Sequence, residues 1–81
     1  MKIETLLFSR LRDLAGQGTL SFELPEGSTV GDLLARLYAE HPKIQGWDKS
    51  LLVAVGLEFA ERTQVLRGGD NVSVMPPVQG G

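Results

Sequence analysis

Pro76-Pro77-Val78-Gln79-Gly80-Gly81 closes the chain, and the chemistry it offers lies in its last functional group. A carboxylate on Gly81 has no Cβ beside it, so its acyl carbon is unshielded. Gly80 and Gly81 together form a tip thin enough to thread a narrow channel into another protein's active site. The two prolines forbid a continuing helix or an internal strand and stiffen the exit. Residues 78–81, if extended, reach roughly 13–14 Å beyond the prolines. A folded domain gains no packing from such an ending, whereas a carboxylate that must enter a partner's site gains access and reach. The plainer readings are a disordered end for the glycines and a simple strand stop for the prolines.

The rest of the chain offers little competing chemistry. There is no cysteine, hence no disulfide, thiolate nucleophile or cysteine-ligated metal, and there is a single histidine. His41 precedes Pro42 at the end of a helical pattern and reads as structural. Gly68-Gly69 is not a phosphate loop, because no Lys-Ser or Lys-Thr follows and no helix begins there. Glu58 and Glu61 read as solvent-facing, and nothing pairs them for acid–base work. A net charge of −2 without a run of Lys or Arg argues against nucleic acid as a partner. No apolar stretch has membrane-spanning length, and Met1-Lys2-Ile3-Glu4 leads directly into a strand pattern, which speaks against a signal peptide. The absence of cysteine fits a reducing cytoplasm, and the expectation is a cytoplasmic chain with no bound cofactor, no metal and no membrane association.

The elements that must position the tail follow from periodicity. With 81 residues the chain holds one domain and one modest core. Residues 2–8 form a first strand, with Ile3, Thr5 and Leu7 on one face and Leu6 and Phe8 on the other. Residues 9–16 suggest a short helical turn ended by Gly16. Residues 19–24 alternate, with Leu20, Phe22 and Leu24 on one face, and the two strands should pair antiparallel. Thr29 reads as a helix N-cap with Asp32 as its capping-box acid. Val30, Leu33, Leu34 and Leu37 then form one apolar stripe, and Arg36 and Glu40 an i,i+4 ion pair off that stripe. Lys43 to Ser50 reads as irregular, anchored by Trp47 over the core. Residues 51–55 are a buried strand, Gly56 a turn at positive φ, and Phe59 part of a short strand or a loop. Residues 63–66 return to the domain, Gly68-Gly69-Asp70 is a turn, and 71–75 is the last strand with Val72 and Val74 inward.

One helix across a mixed sheet of four or five strands is the simplest two-layer solution. The expected class is therefore α+β, a ubiquitin-like β-grasp. Residues 1–75 would form the domain and 76–81 a flexible, extended Gly-Gly tail. By analogy with that fold, the first and last strands are neighbours and the tail leaves from mid-sheet. Leu6, Phe8 and Met75 would then form an exposed apolar patch for a partner, unless they pack in the core. Arg12 is either an interface ion-pair partner or a solvated charge.

Five segments carry a family resemblance. They are Leu7-Phe8-Ser9 with Leu11-Arg12-Asp13-Leu14-Ala15-Gly16; Ser28-Thr29-Val30-Gly31-Asp32-Leu33; Leu51 to Val55; Leu66-Arg67-Gly68-Gly69-Asp70-Asn71-Val72; and Met75 to Gly81. Across essentially its whole length the chain resembles the small, sulfur-carrying subunits of molybdopterin synthase. The Pro-Pro-Val-x-Gly-Gly ending is the most specific part, and the Gly-Asp-x-Val turn is shared with other ubiquitin-like sulfur carriers. Gly56 replaces a frequent Asn, and Met75 a frequent aromatic residue; neither touches the terminal chemistry.

The resemblance implies a covalent carrier that is not catalytic alone. An adenylyltransferase related to the ubiquitin-activating class would adenylate the Gly81 carboxylate with ATP, and a sulfur donor protein would convert it to a thiocarboxylate. The tail would then enter the large synthase subunit and give sulfur to a cyclic pyranopterin monophosphate. Two transfers build the dithiolene that binds molybdenum or tungsten. The implied assembly is a heterotetramer, with small subunits at opposite ends of a dimer of large ones. Rival readings are a sulfur carrier for thiamine or tRNA thiolation, a ubiquitin-like protein modifier joined through Gly81, and a binding module whose tail is incidental.

Overall fold

The computed structural model describes residues 1–77, and Val78, Gln79, Gly80 and Gly81 lie outside the described residues. In chain order the elements are β1 (Lys2–Leu7), α1 (Arg10–Ala15), β2 (Thr19–Glu23), α2 (Val30–Glu40), α3 (Pro42–Gln45), a 3₁₀ turn (Asp48–Ser50), β3 (Leu52–Val55), β4 (Glu58–Phe59) and β5 (Asn71–Met75). The five strands form one mixed sheet in the order β2-β1-β5-β3-β4. β1 pairs antiparallel with β2 and parallel with β5, and β3 pairs antiparallel with both β5 and β4. The first and last strands are thus central neighbours, and the chain leaves the sheet from its middle.

Strand alternation decides which face is covered. Thr5, Val72 and Val55 stand in one cross-strand row, and Leu7, Val74 and Val53 in the next. All but the partly exposed Val55 are buried, and the core continues through Ile3 and Phe22 to Val30, Leu33, Leu34 and Leu37 of α2. The 3.6-residue stripe of α2 therefore lies on the period-2 face of the sheet. Arg36 and Glu40 point away and pair at 2.9 Å, both half-exposed.

The start of α2 is fixed twice over. Thr29 accepts from the Asp32 N–H at 3.2 Å, and Asp32 Oδ2 accepts from the Thr29 N–H at 2.9 Å, a complete capping box. The N–H groups of Val30 and Gly31 donate to the carbonyls of Gln64 and Arg62, each at 2.9 Å. The returning segment 62–66 thereby satisfies helix-end donors that would otherwise face the interior without partners. A Cβ at Gly31 would stand 3.3 Å from the Arg62 carbonyl, so glycine permits this close approach.

One expectation needs correction. Residues 43–50 are not irregular: Pro42 sits in the first turn of α3, where its missing N–H costs nothing, and a 3₁₀ turn follows. Of the strand and the loop left open for Phe59, the strand is observed: two residues long, it pairs with β3 across the Gly56 turn, where φ is 62°. Four-residue and three-residue helical turns carry too little periodicity to be seen in sequence.

Candidate functional site

The site is built where β1 and β5 end side by side. The Phe8 N–H donates to the Val74 carbonyl at 3.3 Å, holding the exit of β1 against β5. Pro76 and Pro77 follow β5 directly, both partly exposed. Proline has fixed φ and no N–H, so the sheet ladder stops here and the stem of the tail leaves the sheet.

The uncovered face of the sheet carries the candidate partner surface. Leu6, Ser73, Ala54 and Phe59 stand in one row across four strands, all partly or fully exposed. Phe8 and Met75 line a groove of about 240 Å³ together with Ala54, Gly56, Leu57, Phe59 and Ser73. Phe8 is 42 % exposed, Phe59 74 % and Leu57 wholly so, which is much apolar surface for an 81-residue chain to leave in water. The structure therefore brings Phe8 and Met75 together and puts Leu6 in the adjoining row. Arg12 lies apart, exposed on the outer side of α1, and lines a shallow depression with Asp13, Gly16, Gln17 and Gly18. Val78, Gln79, Gly80 and Gly81, the rest of the expected tail, fall outside the described residues.

Leu57 and Phe59 are groove residues that the sequence reading did not assign to the site. Their signal was present: two large apolar side chains in Gly56-Leu57-Glu58-Phe59, a turn too tight to bury them.

A second cluster lies at the C-terminal half of α2. Asp48 Oδ1 accepts from the Tyr38 hydroxyl and from Arg62 Nη1, the latter at 2.9 Å, while Arg62 Nη2 donates to the Asp48 carbonyl at 2.6 Å. The Tyr38 hydrogen bond, followed by that from Arg62, holds the Asp48 carboxyl below its ordinary range. Partial burial, with the Asp48 carboxylate beside it, pushes the Tyr38 hydroxyl well above its own. Both directions fix one state, an ionised Asp48 and a neutral Tyr38. The cluster ties α2, the 3₁₀ turn and the returning segment together. His41 caps α2 through its backbone, donating to the Leu37 carbonyl at 2.8 Å. Among the described residues no group of three His, Asp or Glu side chains is placed to hold a metal ion, and no helix is long and apolar enough to cross a membrane.

Residues 5–81 match the model of the ThiS family. The chain belongs to the ThiS family. The molybdopterin synthase sulfur carrier subunit of Chlamydomonas reinhardtii is 35 % identical to this chain over 83 residues, covering all of both chains. Small archaeal modifier protein 1 of Haloferax volcanii is 31 % identical over 87 residues, covering 98 % of this chain and all of that one. The crystal structure of SAMP1 from Haloferax volcanii superposes with a TM-score of 0.89 at 30 % identity, covering both chains fully. The sheet order, the crossing helix and this superposition together make the ThiS-family domain a ubiquitin-like β-grasp.

Proposed function

We propose that this chain is the sulfur carrier of molybdenum cofactor biosynthesis, working as the small subunit of molybdopterin synthase. The observation that carries the reading is full-length similarity to a molybdopterin synthase sulfur carrier subunit, joined to a Pro-Pro-Val-Gln-Gly-Gly ending on a stem that leaves mid-sheet. The domain is residues 1–75 and the working tail is residues 76–81.

The chemistry follows from the carboxylate. A carboxylate is a poor electrophile because oxide leaves badly. Attack of a Gly81 oxygen on the α-phosphorus of ATP, in the activating enzyme, releases pyrophosphate and leaves an acyl adenylate. A sulfur nucleophile delivered by a donor protein displaces AMP, and the product is a thiocarboxylate. Its sulfur attacks a carbon of the pterin precursor in the large subunit and displaces an oxygen substituent from it, and water then cleaves the acyl–sulfur bond, restoring the Gly81 carboxylate and leaving the sulfur on the pterin. This chain supplies the reacting atom and a handle; ATP binding and proton transfer belong to its partners. The groove of Phe8, Met75, Leu57 and Phe59, with Leu6 beside it, is the handle for the large subunit. Aromatic side chains are the usual anchors of such interfaces.

A second reading, a ubiquitin-like protein modifier joined to lysines through Gly81, is favoured by the 31 % identity to small archaeal modifier protein 1. Both readings share the adenylate and part at its acceptor.

The test is intact mass after incubation with ATP, an activating enzyme and a sulfur donor, followed by addition of the large subunit and the pterin precursor. The expected result is replacement of one oxygen by sulfur at Gly81, reversed by the large subunit. Isopeptide adducts bearing a Gly-Gly remnant, without the sulfur form, would establish the modifier reading instead. A variant lacking Gly81 is expected to stay folded and to take up no sulfur; full activity in that variant would falsify both.

A further inference from the structure

The tail and the open sheet face carry the proposed transfer, and a second surface beside the stem has no part in it. There, Trp47, Ser9, Arg10, Pro76 and Pro77 line one notch of about 530 Å³. Three chain segments converge on it: the β1–α1 corner, the α3–3₁₀ corner and the stem. Each of the first two is held by unusual means. Ser9 adopts φ 52° and ψ −127°, a conformation suited to glycine, and its side chain makes no cap hydrogen bond. Such backbone strain persists only where the surroundings over-determine it. Trp47 is half-buried against the core, its backbone N–H donating to the Ile44 carbonyl at 2.9 Å and its backbone carbonyl accepting from the Ser50 N–H at 2.8 Å. The next residue is Asp48, gripped at its carboxylate by Tyr38 and Arg62 and at its carbonyl by Arg62. The clamp fixes the backbone on which the indole stands.

We propose that Trp47 is a positioning residue for the tail: its indole forms a fixed wall for the Pro76-Pro77 stem and so sets the direction in which the reactive end leaves the domain. The role rests on the carrier reading for its consequence in transfer, but the wall itself does not. A flat, rigid indole beside two rigid pyrrolidine rings loses little conformational freedom on contact. A pre-aimed stem loses correspondingly less entropy on entering a partner's channel. The groove and the notch then divide the work around the stem, the groove attaching the domain and the notch aiming the tail.

Trp47 is the only tryptophan, so its fluorescence reports this notch alone. Replacing both prolines by glycine (Pro76→Gly, Pro77→Gly) is expected to shift Trp47 emission to the red and raise its quenching by acrylamide about twofold. Unchanged emission and quenching overturn the proposal. In a single-turnover assay with the thiocarboxylate form and saturating large subunit, Trp47→Ala is expected to slow transfer about tenfold while binding of the domain stays within about twofold. Trp47→Phe should recover most of the rate by restoring a flat ring. Transfer by a folded Trp47→Ala protein at the wild-type rate overturns the role, as does equal loss in Trp47→Phe and Trp47→Ala. If Trp47→Ala does not fold, Trp47→Phe and the proline variants decide: a proline variant transferring at the wild-type rate overturns the role, and a loss of about tenfold supports it. A wild-type chain that takes up no sulfur defeats the carrier reading instead, and the fluorescence arm then decides whether the wall exists.

Discussion

A single hydroxyl illustrates how residue chemistry and fold disagree in this protein. Thr5 lies on the inward face of β1 between Ile3 and Leu7 and is fully buried, yet its Oγ1 has no hydrogen-bond partner. Alternation puts the residue inside, and β1 being central to the sheet removes the water that would have satisfied it. A buried hydroxyl without a partner is destabilising by about 1–3 kcal/mol. Thr5→Val keeps the branched shape and removes the unpaired group, so it should raise stability by about 1 kcal/mol, measured as a higher urea midpoint at unchanged slope. A lower midpoint would mean that the hydroxyl has an unseen partner. On the proposed carrier reading, Gly81 belongs to the same scale, its missing Cβ leaving the acyl carbon unshielded.

At the scale of elements, α2 depends on its first turn. Thr29 and Asp32 satisfy each other's backbone groups there. Thr29→Ala removes the acceptor for the Asp32 N–H and is expected to lower stability by about 1 kcal/mol in chemical denaturation, with the helix otherwise intact. The Tyr38–Asp48–Arg62 clamp gives a pH prediction. Asp48 is held below its ordinary value, chiefly by the hydrogen bond from Tyr38. Its contribution is therefore complete above the unfolded carboxyl value, near pH 4, and is lost as pH falls through the lower folded value. Thermal midpoints of the wild type should fall more steeply below about pH 4 than those of Asp48→Asn, and the two profiles should run parallel above it. Parallel profiles throughout would show the carboxylate to be unlinked to folding. The side chains involved are half-exposed, so the difference should be modest and should shrink in salt.

For the whole molecule, the asymmetry of the two sheet faces is the central fact. One face is sealed by α2, and the other presents Phe8, Leu57 and Phe59 to solvent beside the exit of the tail. Folding alone gives no reason to keep those side chains apolar. Phe8→Ala and Phe59→Ala should each weaken binding to the large subunit about tenfold, as loss of an aromatic anchor does. Because Phe59 is largely exposed and Phe8 partly so, the urea midpoint of the free chain should hardly move for Phe59→Ala and fall only modestly for Phe8→Ala. Calorimetric titration measures the first and denaturation the second. Unchanged affinity in both variants would place the interface elsewhere, and a large loss of stability would make the groove part of the core.

Local rules were enough for much of this. The alternation in residues 2–7, 19–23 and 71–75, the stripe of α2, its capping box, the Arg36–Glu40 pair and the turns at Gly56 and Gly69 each depend on residues within a few positions of one another, so the sequence by itself determined them. The expectation for the Gly-Gly end is local in the same way, resting on side chains that are absent. Tertiary structure decided what depends on distant partners. Whether Leu6, Phe8 and Met75 shared the covered face was open until the parallel pairing of β1 with β5 and the position of α2 settled which face is sealed. Leu57 and Phe59 joined the groove only because β4 folds back on β3. Arg12 was separated from that groove because α1 turns away after the strained corner at Ser9. Trp47 and the stem prolines came to line one notch across some thirty residues of sequence, an arrangement that no local periodicity encodes and that only the closing of the sheet around one core supplies.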